Sequence, residues 1–228
     1  DLRDSPPFKS TFDQHLSAGQ LEQCQQLLAS ATLDPSLSAR QRLKLLNQLL
    51  VMDPRRADAI YLKARILEAE GNFSAAGELF VRAKDEDLCP LRMLEPMHDL
   101  LATIAQQNHV PLVDVRAEFT RRMAPGVVGR PQLVDHVHPS LEGHQWIAES
   151  LIRQMAQMEI VDLPKGWQER RAELERENLA TLDEGYFAQG RKRLEGLRMW
   201  TQGLAGRTDL LIDRERQRDD LQGKEGKP

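Results

Sequence analysis

Cysteine is scarce in this chain, aromatic residues are few, and no long apolar run occurs. The two cysteines, Cys24 and Cys89, are too few for a disulfide framework and lack metal-type spacing. Both are read as buried free thiols, because free cysteine packs like a small hydrophobe. Aromatics make up 5% of 228 residues, so any core must be built mainly from Leu, Ala and Val. No stretch approaches the roughly 20 apolar residues of a membrane span, and no leader segment is visible. The formal net charge is −4 with both signs interspersed. Without a basic stripe, nucleic acid is not an expected partner.

What is present is helical. Leu, Ala, Gln, Glu and Arg favour helix, and apolar residues recur at helical spacing along much of the chain. After a loop at 1–12, with Ser5-Pro6-Pro7 biased against helix, a helical segment runs through 13–31. Its stripe is Leu16, Leu21, Cys24, Leu27 and Leu28, and Asp34-Pro35 ends it. Residues 38–52 carry Leu43, Leu46, Leu49 and Leu50 and stop at Asp53-Pro54. The clearest period lies in 57–84. Ile60, Ala64 and Leu67 share one helix, Gly71 supplies a turn, and Phe73, Ala76, Phe80 and Ala83 share the next. Small residues at 64 and 76 allow close approach, and large ones at 67 and 80 fill the gap. This pair resembles a tetratricopeptide repeat, and Asp53 and Asp87 stand one repeat length (about 34 residues) apart. Residues 23–56 read as an irregular preceding repeat. One good repeat offers little concave surface, so a protein partner held by the helices is the secondary expectation.

A helix is expected over 91–108, followed by the apolar run Val110-Pro111-Leu112-Val113-Asp114-Val115. That run reads as a buried parallel strand. Since a strand needs neighbours and no other segment offers one, its partners are expected outside these residues. A short helix at 116–123, a loop at 124–140 and a helix at 141–157 follow. One or two helices span 166–205, with Trp167, Leu174, Leu182, Phe187, Leu194, Leu197 and Trp200 as candidate contacts. The charged end from about 207 reads as a disordered tail.

The chemistry concentrates in Leu133-Val134-Asp135-His136-Val137-His138-Pro139-Ser140. Asp135 and His138 are spaced so that the carboxylate can turn back and accept from Nδ1–H. Nε2 is then a base facing outward, which is the orienter-plus-base half of a hydrolase triad. Ser140 can cap the next helix, and Gly143 permits close approach in its first turn. His136, His138 and His144 with Asp135 do not make a standard zinc pattern, so no metal and no cofactor is expected. His15, His98 and His109 read as solvated.

Asp135-x-x-His138-Pro139, with Glu142-Gly143-His144 and Ile147-Ala148 behind it, resembles the last block of the SGNH (GDSL-like) hydrolases. The likeness extends through Asp1–Phe8, the helical repeat, Asp87–Arg92 and Val110–Val115. It resembles a subgroup with tetratricopeptide-type helices inserted before the last strand. The resemblance implies a mainly α chain with an incomplete α/β portion. The implied divisions are a hydrolase loop at 1–12, a helical insert at 13–90, an SGNH-like segment at 91–160, a helical extension at 161–206 and the tail at 207–228. It also implies His138 as general base, Asp135 as orienter, and Arg92 as a residue that could bind an anionic substrate group. Small-molecule or carbohydrate esters are the implied substrates, and an extracytoplasmic location is compatible with that chemistry. No strand-to-helix serine elbow and no Gly-x-Asn block occurs in the chain. The nucleophile is therefore expected upstream of Asp1.

Overall fold

A computed structural model of the chain describes residues 1–201, and among these nine α-helices form. They are α1 (Ala18–Leu33), α2 (Ala39–Met52), α3 (Ala57–Ala69), α4 (Phe73–Asp85), α5 (Glu95–Gln107), α6 (Val115–Met123), α7 (Leu141–Gln157), α8 (Trp167–Ala180) and α9 (Glu184–Thr201). The starts follow local chemistry. Ser17 with Gln20, and Ser38 with Gln41, make reciprocal capping boxes that satisfy otherwise orphaned amides. Asn72, Asp114 and Ser140 cap α4, α6 and α7 in the same way with one side-chain acceptor each. Residues 1–169 make one compact unit, and a second begins at Arg170.

Helices α1 to α4 pack in succession along the chain. Cys24, Ala31, Leu46, Leu49 and Ala59 form one buried cluster. Ala64, Ala76, Phe80 and Val127 form another, with Tyr61 and Leu67 against it. The α3–α4 turn needs Gly71, whose φ of 81° lies in the left-handed region. Asp53, the C-cap of α2, and Asp87, just beyond the end of α4, also hold the N-terminal segment. Asp53 accepts from the Asp13 amide at 3.2 Å. Asp87 accepts from the amides of Phe8 at 2.6 Å, Lys9 at 3.0 Å and Cys89 at 3.0 Å. Residues 8–13 are thereby strapped to the helical hairpins at two points.

The expected strand at Val110–Val115 does not form, and no strand occurs among the described residues. Asp114 instead starts α6, its carboxylate accepting from the Ala117 amide at 2.9 Å. Pro111 has no amide to give, and the amides of Leu112 and Val113 donate to no other described residue. A strand exists only through a ladder, and this run has none. The resemblance to SGNH hydrolases falls with it. That fold requires a parallel sheet, and the described residues are helix, turn and loop throughout. Cys89 is also exposed, whereas Cys24 is buried, and both thiols are free.

The later helices keep their apolar stripes largely open. On α5 only Ala105 is buried, while Met97, Leu100, Leu101 and Ile104 are exposed. Leu151 and Met155 of α7 are exposed too. Trp167 at the start of α8 is covered by the Arg153 guanidinium, 5.1 Å from the ring centroid. The tail read at 207–228 and the Trp200 side chain lie outside what the structure describes. No helix among the described residues is long and apolar enough to cross a membrane.

Candidate functional site

The loop at 124–140 is held from both sides. The N-terminal segment grips its first half. Leu2 and Arg3 donate backbone bonds to the Val128 carbonyl at 3.2 and 3.4 Å, and Asp4 accepts from the Arg130 amide at 2.9 Å. The Asp1 nitrogen donates to the His136 carbonyl at 2.8 Å. The second half closes on itself as a small antiparallel hairpin, with Leu133 bridged to Pro139. The Val134 amide donates to the His138 carbonyl at 2.9 Å, and the Ser140 amide to the Gln132 carbonyl at 2.8 Å. Ser140 then donates its hydroxyl to the Pro131 carbonyl at 2.8 Å and accepts from the Gly143 amide at 3.1 Å. One serine thus ties the hairpin to the first turn of α7.

Asp135 and His138 sit in this hairpin. Asp135 Oδ2 lies 2.7 Å from His138 Nδ1, and Oδ1 accepts from the amides of Val137 and His138 at 2.8 Å each. An ionised carboxylate can only accept, so Nδ1 carries the proton and Nε2 presents its lone pair. The carboxylate side chain is 7% exposed and the imidazole 65%. A buried, triply bonded anion therefore orients an open base. Among the described residues, Nε2 has no hydrogen-bond partner. Burial pushes the Asp135 pKa upward, but the bonds from the two amides and the imidazole outweigh it, and the net shift is downward.

Two further groups adjoin the pair. Arg92 donates through Nη1 to the carbonyls of Asp1 at 2.6 Å and Ser5 at 3.0 Å, locking the N-terminal segment. It neither caps a preceding helix nor pairs with a described carboxylate, and its buried Nε has no partner. His136 Nε2 donates to the Pro6 carbonyl at 3.3 Å. Burial and the neighbouring Arg92 charge hold His136 below the usual histidine pKa. Arg92 and His136 both line a cavity of about 810 Å³, whose walls are mainly apolar, with Val81, Phe119, Val127 and Ile147 among them.

The structure therefore brings Asp135 and His138 together, and places Arg92 near them through the N-terminal segment. His144 lies exposed on α7, and no cluster of three or more potential metal ligands occurs among the described residues. His98, read as solvated, instead approaches Asp114 at 3.7 Å and lines the cavity. Sequence reasoning missed the part of Asp4 and Gly129. A Cβ at Gly129 would stand 2.4 Å from the Asp4 carboxylate. The only local signal was the glycine itself within the Val-Val-Gly-Arg run. Comparison with known proteins found no matching family, no similar curated protein and no similar solved structure.

Two expected results test this local architecture. A Cβ at Gly143 would lie 2.4 Å from the Gln132 carbonyl oxygen and 3.0 Å from Pro139 Cβ. Backbone cannot yield cheaply there, so Gly143→Ala should lower stability by about 1–3 kcal/mol and displace the hairpin from α7. Urea unfolding reads the first effect, and the His138 ring shifts in NMR read the second. An unperturbed spectrum would show that the contact is not needed. The second result concerns acid. Since the folded-state pKa of Asp135 is depressed, its contribution is full above the unfolded value of about 3.9 and is lost as pH falls through the folded value. The stability gap between the parent and Asp135→Asn should therefore be constant near neutrality and close below about pH 4. A gap that persists unchanged through pH 3 would contradict an ionised Asp135.

Proposed function

We propose that Asp135 and His138 are the orienter and general base of a serine-type acyl-transfer centre acting on ester substrates. The single observation behind this reading is the pair's geometry. One Asp135 oxygen is bonded to Nδ1 at 2.7 Å, the other is held by two amides, and Nε2 faces solvent on an exposed ring. In such an arrangement Nε2 takes the proton of an attacking hydroxyl. It then returns that proton to the leaving alcohol, and accepts another from water or an acceptor alcohol. Asp135 fixes the tautomer and stabilises the imidazolium that forms in between.

The nucleophilic serine and the oxyanion donors are assigned to sequence upstream of Asp1. The hydroxyls of Ser5 and Ser140 are engaged with Asp1 and Pro131, and Ser10 accepts from the Asp58 amide. None of them is bonded to His138. The reading is tested by p-nitrophenyl acetate turnover with the complete protein, with and without an added acceptor alcohol. Release of p-nitrophenol above the background rate is expected. Release at the background rate under both conditions would remove the acyl-transfer reading.

A further inference from the structure

The cavity beside the hairpin is lined by a charge that no described carboxylate meets in a direct ion pair. Its walls are mostly apolar, contributed by α4, α6, α7 and the 124–139 loop. Val137 and Pro139, the residues on either side of His138, belong to those walls. A volume of about 810 Å³ falls within the roughly 300–1,000 Å³ of small-molecule sites. Lys84 and Arg116 also line it, but carboxylates hold both, Lys84 between Glu95 at 2.7 Å and Asp85 at 3.1 Å and Arg116 on Glu95 at 2.6 Å. Arg92 is different. Only two neutral carbonyls accept from it, and its buried Nε has no partner.

Arg42 is likewise held by carbonyls alone, those of Ala31, Asp34 and Leu37, but it does not line this cavity. In the cleft between α6 and α7, Arg122 and Arg153 share Glu149 at 3.0 and 2.8 Å, and Arg121 holds Glu118 at 2.8 Å. Each arginine of that cleft is in a direct ion pair with a glutamate. Asp87 and Asp85 act on Arg92 only through space, so a half-buried guanidinium on an apolar wall keeps a free donor for an anion supplied from outside. The planar donors of arginine suit a carboxylate or phosphate.

We propose that this cavity binds an amphipathic anion, an alkyl or acyl chain lying along the apolar walls with its carboxylate or phosphate head at Arg92. As the substrate class of the neighbouring loop this rests on the acyl-transfer reading, whereas as a binding site it does not. The chain length is set by the walls and the head by Arg92. Neutral chains and short anions each satisfy only half of the site.

Calorimetric titration of the full chain with decanoate, decyl phosphate, decanol and acetate tests the assignment. Decanoate or decyl phosphate should bind at least about tenfold more tightly than decanol, the size of one charge-assisted pairing, and acetate should give no heat. Whichever anion binds more tightly identifies the head. Arg92→Gln should erase the preference over decanol. Because Arg92 also ties the N-terminal segment, Gly77→Leu supplies a second arm. A Cβ at Gly77 meets nothing within 4 Å, Gly77 lines the cavity, and leucine suits mid-helix better than glycine. That variant should fold and weaken both long-chain anions about tenfold or more by filling the space. Equal binding of decanol and the anions, or indifference to Gly77→Leu, would overturn the proposal. His138→Ala should bind decanoate like the parent. Absent binding alongside His138-dependent turnover would sink this site alone, and binding alongside His138-independent turnover would sink the acyl-transfer reading alone.

Discussion

Ester turnover by the complete protein is expected to fall about 10⁴-fold or more when His138 is replaced by alanine. The size follows from what the residue does. A serine hydroxyl is a poor nucleophile until a base removes its proton in the transition state, and Nε2 is the base that the hairpin presents. Asp135→Asn should cost about as much by a different route. An amide nitrogen placed at Oδ2 would face Nδ1 as a donor, favouring the tautomer with its proton on Nε2. The ring would stay in place with the wrong nitrogen available. Steady-state kinetics on p-nitrophenyl esters checks both. The loss should appear in kcat and in kcat/KM together, because the interaction is made in the transition state. His144→Ala serves as the control, since that exposed side chain on α7 has no place in the mechanism. Turnover unchanged in His138→Ala would end the catalytic assignment.

The largest stability loss is expected at Phe80. Its side chain is 1% exposed, and it packs with Ala64, Ala76 and Val127. Tyr61 meets its ring edge-on, with centroids 5.5 Å apart and planes at 62°. Truncation to alanine removes the transfer energy of the ring and leaves a cavity, about 3–5 kcal/mol together. The loss should spread beyond α3 and α4. Tyr61 donates to the Arg3 carbonyl at 2.5 Å, and Arg3 in turn bonds to Val128 in the hairpin's loop. Urea unfolding of Phe80→Ala should show the midpoint drop, and hydrogen exchange should show faster opening of residues 1–8. A change below about 1 kcal/mol would mean that the second core cluster is not tightly packed.

Where the sequence was informative, the reason was local. Asp34-Pro35 and Asp53-Pro54 end α1 and α2 because proline cannot continue a helix. Ser140 caps α7 because a hydroxyl can reach the third amide on. The Ala64, Ala76 and Phe80 pattern marked a tightly packed helix pair because small-against-large spacing survives in one dimension. The Asp135–His138 contact was legible for the same reason, as both partners lie within one short turn.

What was not legible depends on distant chain. The strapping of residues 8–13 by Asp53 and Asp87 joins positions far apart in sequence, and nothing in the composition marks it. Arg92's carbonyl partners lie at Asp1 and Ser5, equally remote. The run at 110–115 looked like a strand because apolar, β-branched residues are common in strands, yet pairing is a tertiary property and none is present. The likeness to a hydrolase family failed for a related reason. A motif of a few residues around His138 is compatible with a hairpin in many folds, and site chemistry does not fix the fold that carries it. Periodicity likewise located the apolar stripe of α5 without saying what, if anything, covers it.

The central claim is that His138 activates a serine. It is tested most directly by treating the complete protein with a fluorophosphonate and locating the adduct by peptide mass spectrometry, beside His138→Ala. A single serine labelled rapidly in the parent, and about 10³-fold or more slowly in the variant, is the expected result. No labelled serine, or labelling at the same rate in both proteins, would contradict the account and leave the α1–α4 hairpins, as a protein-binding module, the better candidate for what this chain does.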